Sequence, residues 1–381
     1  MFDFQLLKKS KKSRARLGLL KTPHGQIKTP AFITVGTKGT VKSLTPQDLD
    51  AIGTQMVFIN TYHIVLSPGV DVIEKAGGIH TFSGIDTPII TDSGGFQVFS
   101  LARNSKVGTK HKNELNSEEQ PPHFVAITDD GVEFRSPRDG EMFYFTPEFS
   151  IDAQRRIGAD FAVAFDECLY YGADYKKTEK SLRRTHDWAQ RSLQVHKVQS
   201  QKSIKQEMYG VIQGGLYEDL RRESVKFISS FPFFGLAIGG VSVGETKKEM
   251  RDQIGWVMDE LGDDPRPRHL LGIGEFDDVM DAVVMGIDTM DCVIPTRHAR
   301  MGRFYVVQSP ESYGEVDILK QVYKKDFAPI DEICECYTCH HFTRAYLHHL
   351  FKQRELLAYR LATIHNLFFM EQLFENIRES I

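Results

Sequence analysis

Pro88-Ile89-Ile90-Thr91-Asp92-Ser93-Gly94-Gly95-Phe96-Gln97 joins a short apolar run to an acidic, glycine-rich end. The same arrangement recurs along the chain. Eight apolar runs read as strands: Ala31–Val35, Gln55–Asn60, Pro88–Thr91, Phe161–Phe165, Tyr209–Gln213, Gly235–Ile238, His269–Ile273 and Thr289–Ile294. Each is followed by a longer segment of helical period. Alternating strands and helices imply a parallel sheet with right-handed crossovers. An open doubly wound sheet would satisfy that pattern as well. The residues at the strand ends decide between the two. Asn60-Thr61-Tyr62-His63, Asp92-Ser93-Gly94-Gly95, Asp166-Glu167-Cys168, Gln213-Gly214-Gly215, Gly239-Gly240-Val241 and Gly272-Ile273-Gly274 stand at successive carboxyl ends, and Asp291 lies in the eighth run. A closed (β/α)₈ barrel gathers such ends around one pocket, and an open sheet does not. The predicted fold class is α/β, a TIM barrel.

Other segments depart from the alternation. Residues 1–30 read as a small antiparallel β-sheet capping one barrel end, and 31–300 as the barrel. Residues 301–381 read as a metal-binding subdomain with C-terminal helices, the last over Leu367–Ile381. Within the barrel, 102–124 is polar and without apolar period, which predicts a mobile insertion. Residues 128–145 alternate and predict a small hairpin. The stretch Cys292-Val293-Ile294-Pro295 reads as a continuation of the eighth strand.

The chain has 381 residues, 41 % of them hydrophobic and 26 % charged, with a net charge of −4. That size suits one large barrel plus an appendage. The charge excludes polyanion binding by bulk attraction, so any nucleic-acid surface is local. Two basic runs qualify: Lys8-Lys9-Ser10-Lys11-Lys12 with Arg14 and Arg16, and Arg297-His298-Ala299-Arg300 with Arg303. The first has the character of a solvated face. No run of eighteen apolar residues occurs, so no membrane span is expected. The N-terminal Met1–Leu7 is too short and polar for a signal segment. Unpaired cysteines point to a cytoplasmic location.

Three of the five cysteines fall in Cys334-Glu335-Cys336-Tyr337-Thr338-Cys339. A thiolate cluster this tight, with a histidine downstream, matches one tetrahedral zinc ion in a closed, structural site. Disulfides leave an odd cysteine, and a redox pair lacks its strand-to-helix turn. The spacing leaves the fourth ligand open among His340, His341, His348, His349 and His365.

Asp92, Asp166 and Asp291 each follow or end an apolar run, so none reads as a solvated surface charge. Helix capping is the ordinary alternative for Asp92. Two carboxylates on one pocket are the usual tools for chemistry at an anomeric carbon, one as nucleophile and one handling the leaving group's proton. The glycines at 94, 95, 239, 240, 272 and 274 let backbone amides approach a flat ring. Asp166 and Gln213 can read the edge of a base, with Phe96 and Leu271 on its faces. No G-x-x-x-x-G-K-[ST] phosphate loop occurs.

Taken in order, these segments resemble the queuine or tRNA-guanine transglycosylase family, bacterial type. The resemblance is carried by Asn60-Thr61-Tyr62-His63, Thr91–Gln97, Phe165-Asp166-Glu167-Cys168, Ile212-Gln213-Gly214, Ala237-Ile238-Gly239-Gly240, Leu271-Gly272-Ile273-Gly274 and Gly286–Arg297. It runs from about residue 15 to the end. It implies exchange of guanine at the tRNA anticodon wobble position for a 7-deazaguanine base, 7-aminomethyl-7-deazaguanine (preQ1), through a covalent ribosyl ester. Asp291 would be the nucleophile and Asp92 the general acid/base. Ser93, Asp166, Gln213 and Gly240 would recognise the base edge, with Phe96, Val241 and Leu271 lining its pocket. Arg297, Arg300 and Arg303 would meet the anticodon loop. Cys334, Cys336, Cys339 and His365 would bind Zn²⁺. The partners implied are tRNAs with a GUN anticodon (for Asp, Asn, His and Tyr) and a second copy in a homodimer.

Three departures stand out. Val241 replaces a leucine common in bacterial members, Phe96 replaces a tyrosine found in some, and the 102–124 insertion is long. Cys168 and Val243 follow the bacterial pattern. Direct use of queuine is the alternative for the incoming base. A non-catalytic RNA-binding accessory subunit is the alternative in kind, against which the retention of both Asp92 and Asp291 argues. A barrel aldolase or glycosidase leaves the metal unit unexplained. Tyr346, Leu347, Leu350 and Phe351 read equally well as dimer interface or as core.

Overall fold

The computed structural model describes residues 1–97, 123–200, 205–309 and 312–381. Eight parallel strands close a barrel in the order β4 (Ala31–Val35), β5 (Val57–Ile59), β6 (Ile89–Thr91), β10 (Phe161–Val163), β11 (Glu207–Ile212), β12 (Gly235–Ile238), β13 (Arg268–Leu270) and β14 (Thr289–Cys292), which returns to β4. The predicted fold class is borne out, and each predicted run contains or overlaps its strand. Most strands are shorter than their runs. Residues such as Phe165 and Gln213 remain buried just beyond the ends of their strands. Residues of β4 are buried throughout, as a strand covered on both faces requires. Its register with β14 pairs Ile33 with Asp291.

Contacts gather the residues into two compact units. One comprises Met1–Phe58, Ile85–Pro88 and Gly272–Ile381, the other Ile59–Gly84 and Ile89–Leu271. In the first, β1 (Asp3–Lys9), β2 (Arg16–Thr22) and β3 (Gly25–Thr29) form the expected antiparallel sheet. Arg16 anchors it. Its Nε and Nη2 donate to the two Asp288 oxygens at 2.8 and 2.5 Å, just before β14, with both side chains buried. The C-terminal part of this unit packs Ala299, Phe304, Ile318, Ile330, Leu347, Leu350 and Phe351 against Ala358 and Leu361. Leu347, Leu350 and Phe351 are therefore core, while Tyr346 stays exposed.

Two expectations for this unit are corrected. The chain leaves β14 at Cys292, and Ile294–Arg300 is a helix with Pro295 in its first turn. Proline there gives up no hydrogen bond and presets φ, so it starts a helix where the sequence reading continued a strand. The last helix spans Leu356–Ser380 rather than starting at Leu367. No glycine or proline interrupts 356–367, so nothing stops it from beginning earlier.

In the second unit, β7 (His123–Ile127), β8 (Val132–Arg135) and β9 (Met142–Phe145) form a three-stranded antiparallel sheet where a hairpin over 128–145 was expected. The third strand is His123–Ile127, whose first two residues the sequence reading placed at the end of the insertion. The rest of that insertion, 102–122, lies outside the described residues. Phe134 and Phe145 of this sheet pack with Tyr62, Phe165 and Trp188. Trp188 Nε1 donates to the Asp129 carbonyl at 2.6 Å, tying the β7–β8 turn to the helix Tyr175–Ser200.

The two kinds of ion pair predict different losses. Asp288→Asn strands the buried Arg16 charge, so the urea midpoint should fall by the equivalent of about 3–5 kcal/mol. Asp3→Asn removes the exposed Lys21 pair at 3.9 Å, keeps an amide oxygen to accept from Gln5, and should cost less than about 1 kcal/mol.

Candidate active site and metal centre

Asp92 lies directly after β6 and is 9 % exposed. Its Oδ1 accepts the amides of Thr61 (2.8 Å) and Gly94 (3.1 Å), and its Oδ2 accepts Asn60 Nδ2 at 2.5 Å. Thr61 Oγ1 donates in turn to the Asp92 carbonyl at 2.6 Å. The capping role weighed for Asp92 is thus partly realised, but on a neighbouring helix. Asn60 occupies the N-cap of Thr61–Leu66 without bonding it through its side chain, and the Asp92 carboxylate takes the first amide instead. Burial pushes the Asp92 pKa up to about 6, and the donors from Asn60, Thr61, Gln97 and Gly94 hold it from rising further.

A second buried carboxylate follows β10. Asp166 accepts Ser93 Oγ (3.1 Å) on Oδ1 and Gln213 Nε2 (2.8 Å) on Oδ2. Burial, with a contribution from neighbouring Glu167, raises its pKa to about 6. Glu167 itself is neutralised by Arg184 Nη1 at 2.6 Å. Its backbone is fixed by Thr185 Oγ1, which accepts its amide, and by Ser181 Oγ, which donates to its carbonyl. Ser93, Asp166 and Gln213 therefore meet as the sequence reading groups them. Gly240 joins them: a Cβ at this residue would lie 2.4 Å from Gln213 Oε1, and its φ of 68° suits only glycine at low cost. Val241 is buried, Leu271 half-buried, and Phe96 is 48 % exposed. A cavity beside Gln213 and Gly240 is also lined by Glu167, Tyr171, Val243 and Glu245.

Asp291, on β14, is 8 % exposed, and its Oδ1 accepts the Gly272 amide at 3.2 Å. Arg297 and Arg300 fall on the helix that follows. Arg297 is exposed, Arg300 turns Nη1 onto the Thr296 carbonyl at 2.7 Å, and Arg303 on β15 (Arg303–Ser309) pairs with Glu315 at 3.6 Å.

In the C-terminal part, one ligand atom each from Cys334, Cys336, Cys339 and His365 lies within 4.8 Å of the others, a set able to hold a metal ion. The three sulfurs stand 3.8, 3.4 and 3.3 Å from His365 Nδ1. Nε2 of the same ring lies 2.6 Å from the buried Tyr305 carbonyl. A carbonyl only accepts, so the proton sits on Nε2, and Nδ1 presents its lone pair to the sulfurs. His365 projects from mid-helix, with Asn366 beside it donating to the Pro295 and Arg303 carbonyls. His348 turns instead to the Ile318 carbonyl at 2.7 Å. The donor set fits a soft divalent ion in a closed four-coordinate site.

A family model described as queuine tRNA-ribosyltransferase matches residues 10–381. A queuine tRNA-ribosyltransferase of Thermoanaerobacter pseudethanolicus is 47 % identical over 99 % of this chain and 93 % of its own length. One from Protochlamydia amoebophila is 47 % identical over 100 % of this chain and 95 % of its own. One from a Roseiflexus species is 43 % identical over 97 % and 93 %. The chain belongs to the queuine tRNA-ribosyltransferase family. The resemblance read from the sequence is thereby borne out, and with it the assignment as a family enzyme. Among the described residues no helix is long and apolar enough to cross a membrane.

Sequence reasoning gave no role to Asn60, although it quoted the segment, nor to Thr61 as the donor that sets Asp92. It missed Arg184 and Arg221 altogether, since an arginine inside a helical stretch carries no signal of the carbonyls or carboxylates it will meet.

The raised Asp92 pKa has a defined consequence for stability. The folded form binds its proton more tightly than the unfolded chain, whose value is near 3.8. The associated stability is present in full below about 4 and is lost as the pH rises through about 6. Asp92→Asn, which mimics the neutral acid, should therefore gain on the wild type by about 2 kcal/mol between pH 4 and 7, measured as the difference in urea midpoints. An unchanged difference over that range would contradict a raised pKa.

Proposed function

We propose that the chain exchanges guanine at the anticodon wobble position of tRNAs with a GUN anticodon (those for Asp, Asn, His and Tyr) for preQ1, as a step in queuosine biosynthesis. The observation that carries this reading is the tuned, buried Asp92 after β6 in a closed barrel whose β14 carries a second buried carboxylate, Asp291. Carboxyl ends of a parallel barrel share one edge, where its chemistry is done.

In this reading an Asp291 oxygen attacks C1′ of the ribose. The C1′–N9 bond breaks, its electron pair passes to the base, and Asp92 gives up a proton to the departing guanine. The incoming base then loses its N9 proton to Asp92 and attacks C1′, and Asp291 leaves as carboxylate. A group with a pKa near 6 suits both halves, because it is available in either protonation state near neutrality. Guanine offers N1–H and N2–H₂ as adjacent donors and O6 as an acceptor. The Asp166 carboxylate matches the donors, and Gln213 with the Gly240 amide matches O6, with Ser93 orienting Asp166. Phe96, Val241 and Leu271 line the pocket. The target base must leave its stack, which costs a few kcal/mol and is least costly in an RNA loop. In this reading Arg297, Arg300 and Arg303 meet that loop's phosphates.

Zinc is the ion proposed for Cys334, Cys336, Cys339 and His365. With four protein ligands it supplies structural cross-linking and leaves no position for water. The reading divides the chain into a cap (1–30), a barrel (31–300) and a zinc-bearing part (301–381), and places it in the cytoplasm as a homodimer in which one subunit acts while the other helps hold the tRNA.

Incubation of the enzyme with radiolabelled guanine and unmodified tRNA should transfer label to tRNA. Asp291→Ala should abolish the transfer, and denaturation of wild-type reactions should trap a protein–RNA adduct that the variant lacks. Wild-type protein that transfers no label at micromolar concentration favours the accessory-subunit reading. For the metal, elemental analysis of purified protein should give about one zinc per chain, and Cys336→Ser should lose it together with several kcal/mol of stability in the C-terminal part. A metal-free wild type of full stability contradicts the assignment.

A further inference from the structure

One buried cation sits directly behind the Gln213–Gly240 wall and plays no part in the steps above. Arg221, on the helix Glu218–Ser229, is fully buried. Its Nε donates to the Gly215 carbonyl at 2.9 Å. Nη1 donates to the carbonyls of Ile212 (3.3 Å) and Gly239 (2.7 Å). Nη2 donates to the Gly240 carbonyl (3.2 Å) and to Gln253 Oε1 (2.6 Å). Every acceptor is neutral, and no described carboxylate forms an ion pair with it. The nearest acidic influences are Cys168 and Glu245, and the Glu245 carboxylate is already engaged by the amides of Ser242 and Val243, the latter at 2.9 Å. Burial pulls the guanidinium down only to about 10, so it is charged at neutral pH. Arg184, on the preceding helix Tyr175–Ser200, shows the usual arrangement, with Glu167 as counter-ion at 2.6 Å.

A buried charge without a counter-ion is costly, and placing a cation there must serve something that a neutral brace would not. The geometry has two consequences. The fork ties the carboxyl end of β11, through Ile212 and Gly215, to that of β12, through Gly239 and Gly240. The Gln213 side chain and the Gly240 amide stand between those clamped carbonyls. A hydrogen bond to the Gly239 carbonyl also polarises the Gly239–Gly240 peptide, which makes the Gly240 N–H a stronger donor. The positive charge lies behind that wall and acts through it on whatever occupies the pocket.

We infer that Arg221 is a positioning residue for base exchange: it fixes the Gln213 and Gly240 donors toward the purine oxygen and supplies the positive field that steadies the purine as the C1′–N9 electron pair moves onto it. The inference rests on the base-exchange reading above. It adds to that reading a residue that never touches the substrate.

The test is steady-state guanine exchange into tRNA by wild type, Arg221→Met, Arg221→Lys and Gln253→Ala, with KM for guanine and for tRNA measured separately and folding checked by thermal melting. Arg221→Met should raise KM for guanine and lower kcat by about tenfold or more each, with KM for tRNA held within about twofold. Arg221→Lys keeps the charge without the fork and should fall between. Gln253→Ala, which frees one Nη2 bond, should raise KM for guanine by roughly threefold. A merely structural brace lowers kcat through fewer active molecules and leaves KM for guanine unmoved. That pattern in Arg221→Met overturns the inference while the exchange reading stands, and if Arg221→Met does not fold, an unmoved KM in Gln253→Ala does so alone. A wild type that exchanges no guanine brings down the exchange reading, and this inference with it.

Discussion

A carboxylate taken out of water loses several kcal/mol of solvation unless fixed donors replace it, and the environment of Asp92 is an incomplete replacement. Asn60, Thr61, Gly94 and Gln97 supply donors, enough to keep the group in place but not enough to keep its pKa at an ordinary value. Full compensation would yield a permanently ionised acid, and none would yield a permanently neutral one. A value near 6 lies between these limits, where one group can both release and accept a proton near neutrality. The donors are backbone amides and short side chains in the segments that directly follow β5 and β6, so the carboxyl ends of two barrel strands set the environment of Asp92.

The metal cluster answers a different requirement. Cys334, Cys336 and Cys339 lie within six residues and can meet one ion without help, but they cannot complete its tetrahedron. The fourth ligand comes from the middle of a 25-residue helix, where rotation of the backbone is not free to aim a ring. The Tyr305 carbonyl does the aiming: it holds Nε2 and turns Nδ1 toward the sulfurs. Tyr305 belongs to β15, directly after the helix that carries Arg297 and Arg300. The candidate metal site, the His365 tautomer and the proposed RNA-facing segment are thereby linked through one strand.

The barrel was legible because its signal is repeated. Eight apolar runs with polar, glycine-rich ends survive errors of two or three residues at any one boundary, and the boundaries did err, as at Gln55, Phe165 and Ile273. Single local features were less secure. Pro295 reads as a strand breaker or a helix starter with equal ease, and only packing decides. His123 and Phe124 read as the tail of a polar stretch because their partner strand, Val132–Arg135, supplies the missing context. For the site, the aspartates, Gln213 and the cysteines announce themselves by type and place. The residues that tune them do not. Asn60 resembles a helix cap, and Arg184 and Arg221 resemble surface charges of amphipathic helices until the fold turns them inward.

Those two arginines show how one residue type can serve opposite electrostatic ends. Arg184 cancels Glu167, a charge that otherwise raises the Asp166 pKa further and weakens it as an acceptor for a base edge. Arg221 has only carbonyl and amide oxygens as partners, so its charge is left standing. A carboxylate placed beside Arg221 would relieve its burial cost and would also remove the field from the pocket. A neutral side chain would do the same and release the two strand ends besides. Only the uncompensated cation provides both the clamp and the field. The stability forgone by leaving it unpaired is what distinguishes a site built for a charge that appears during reaction from one built for a neutral ligand at rest.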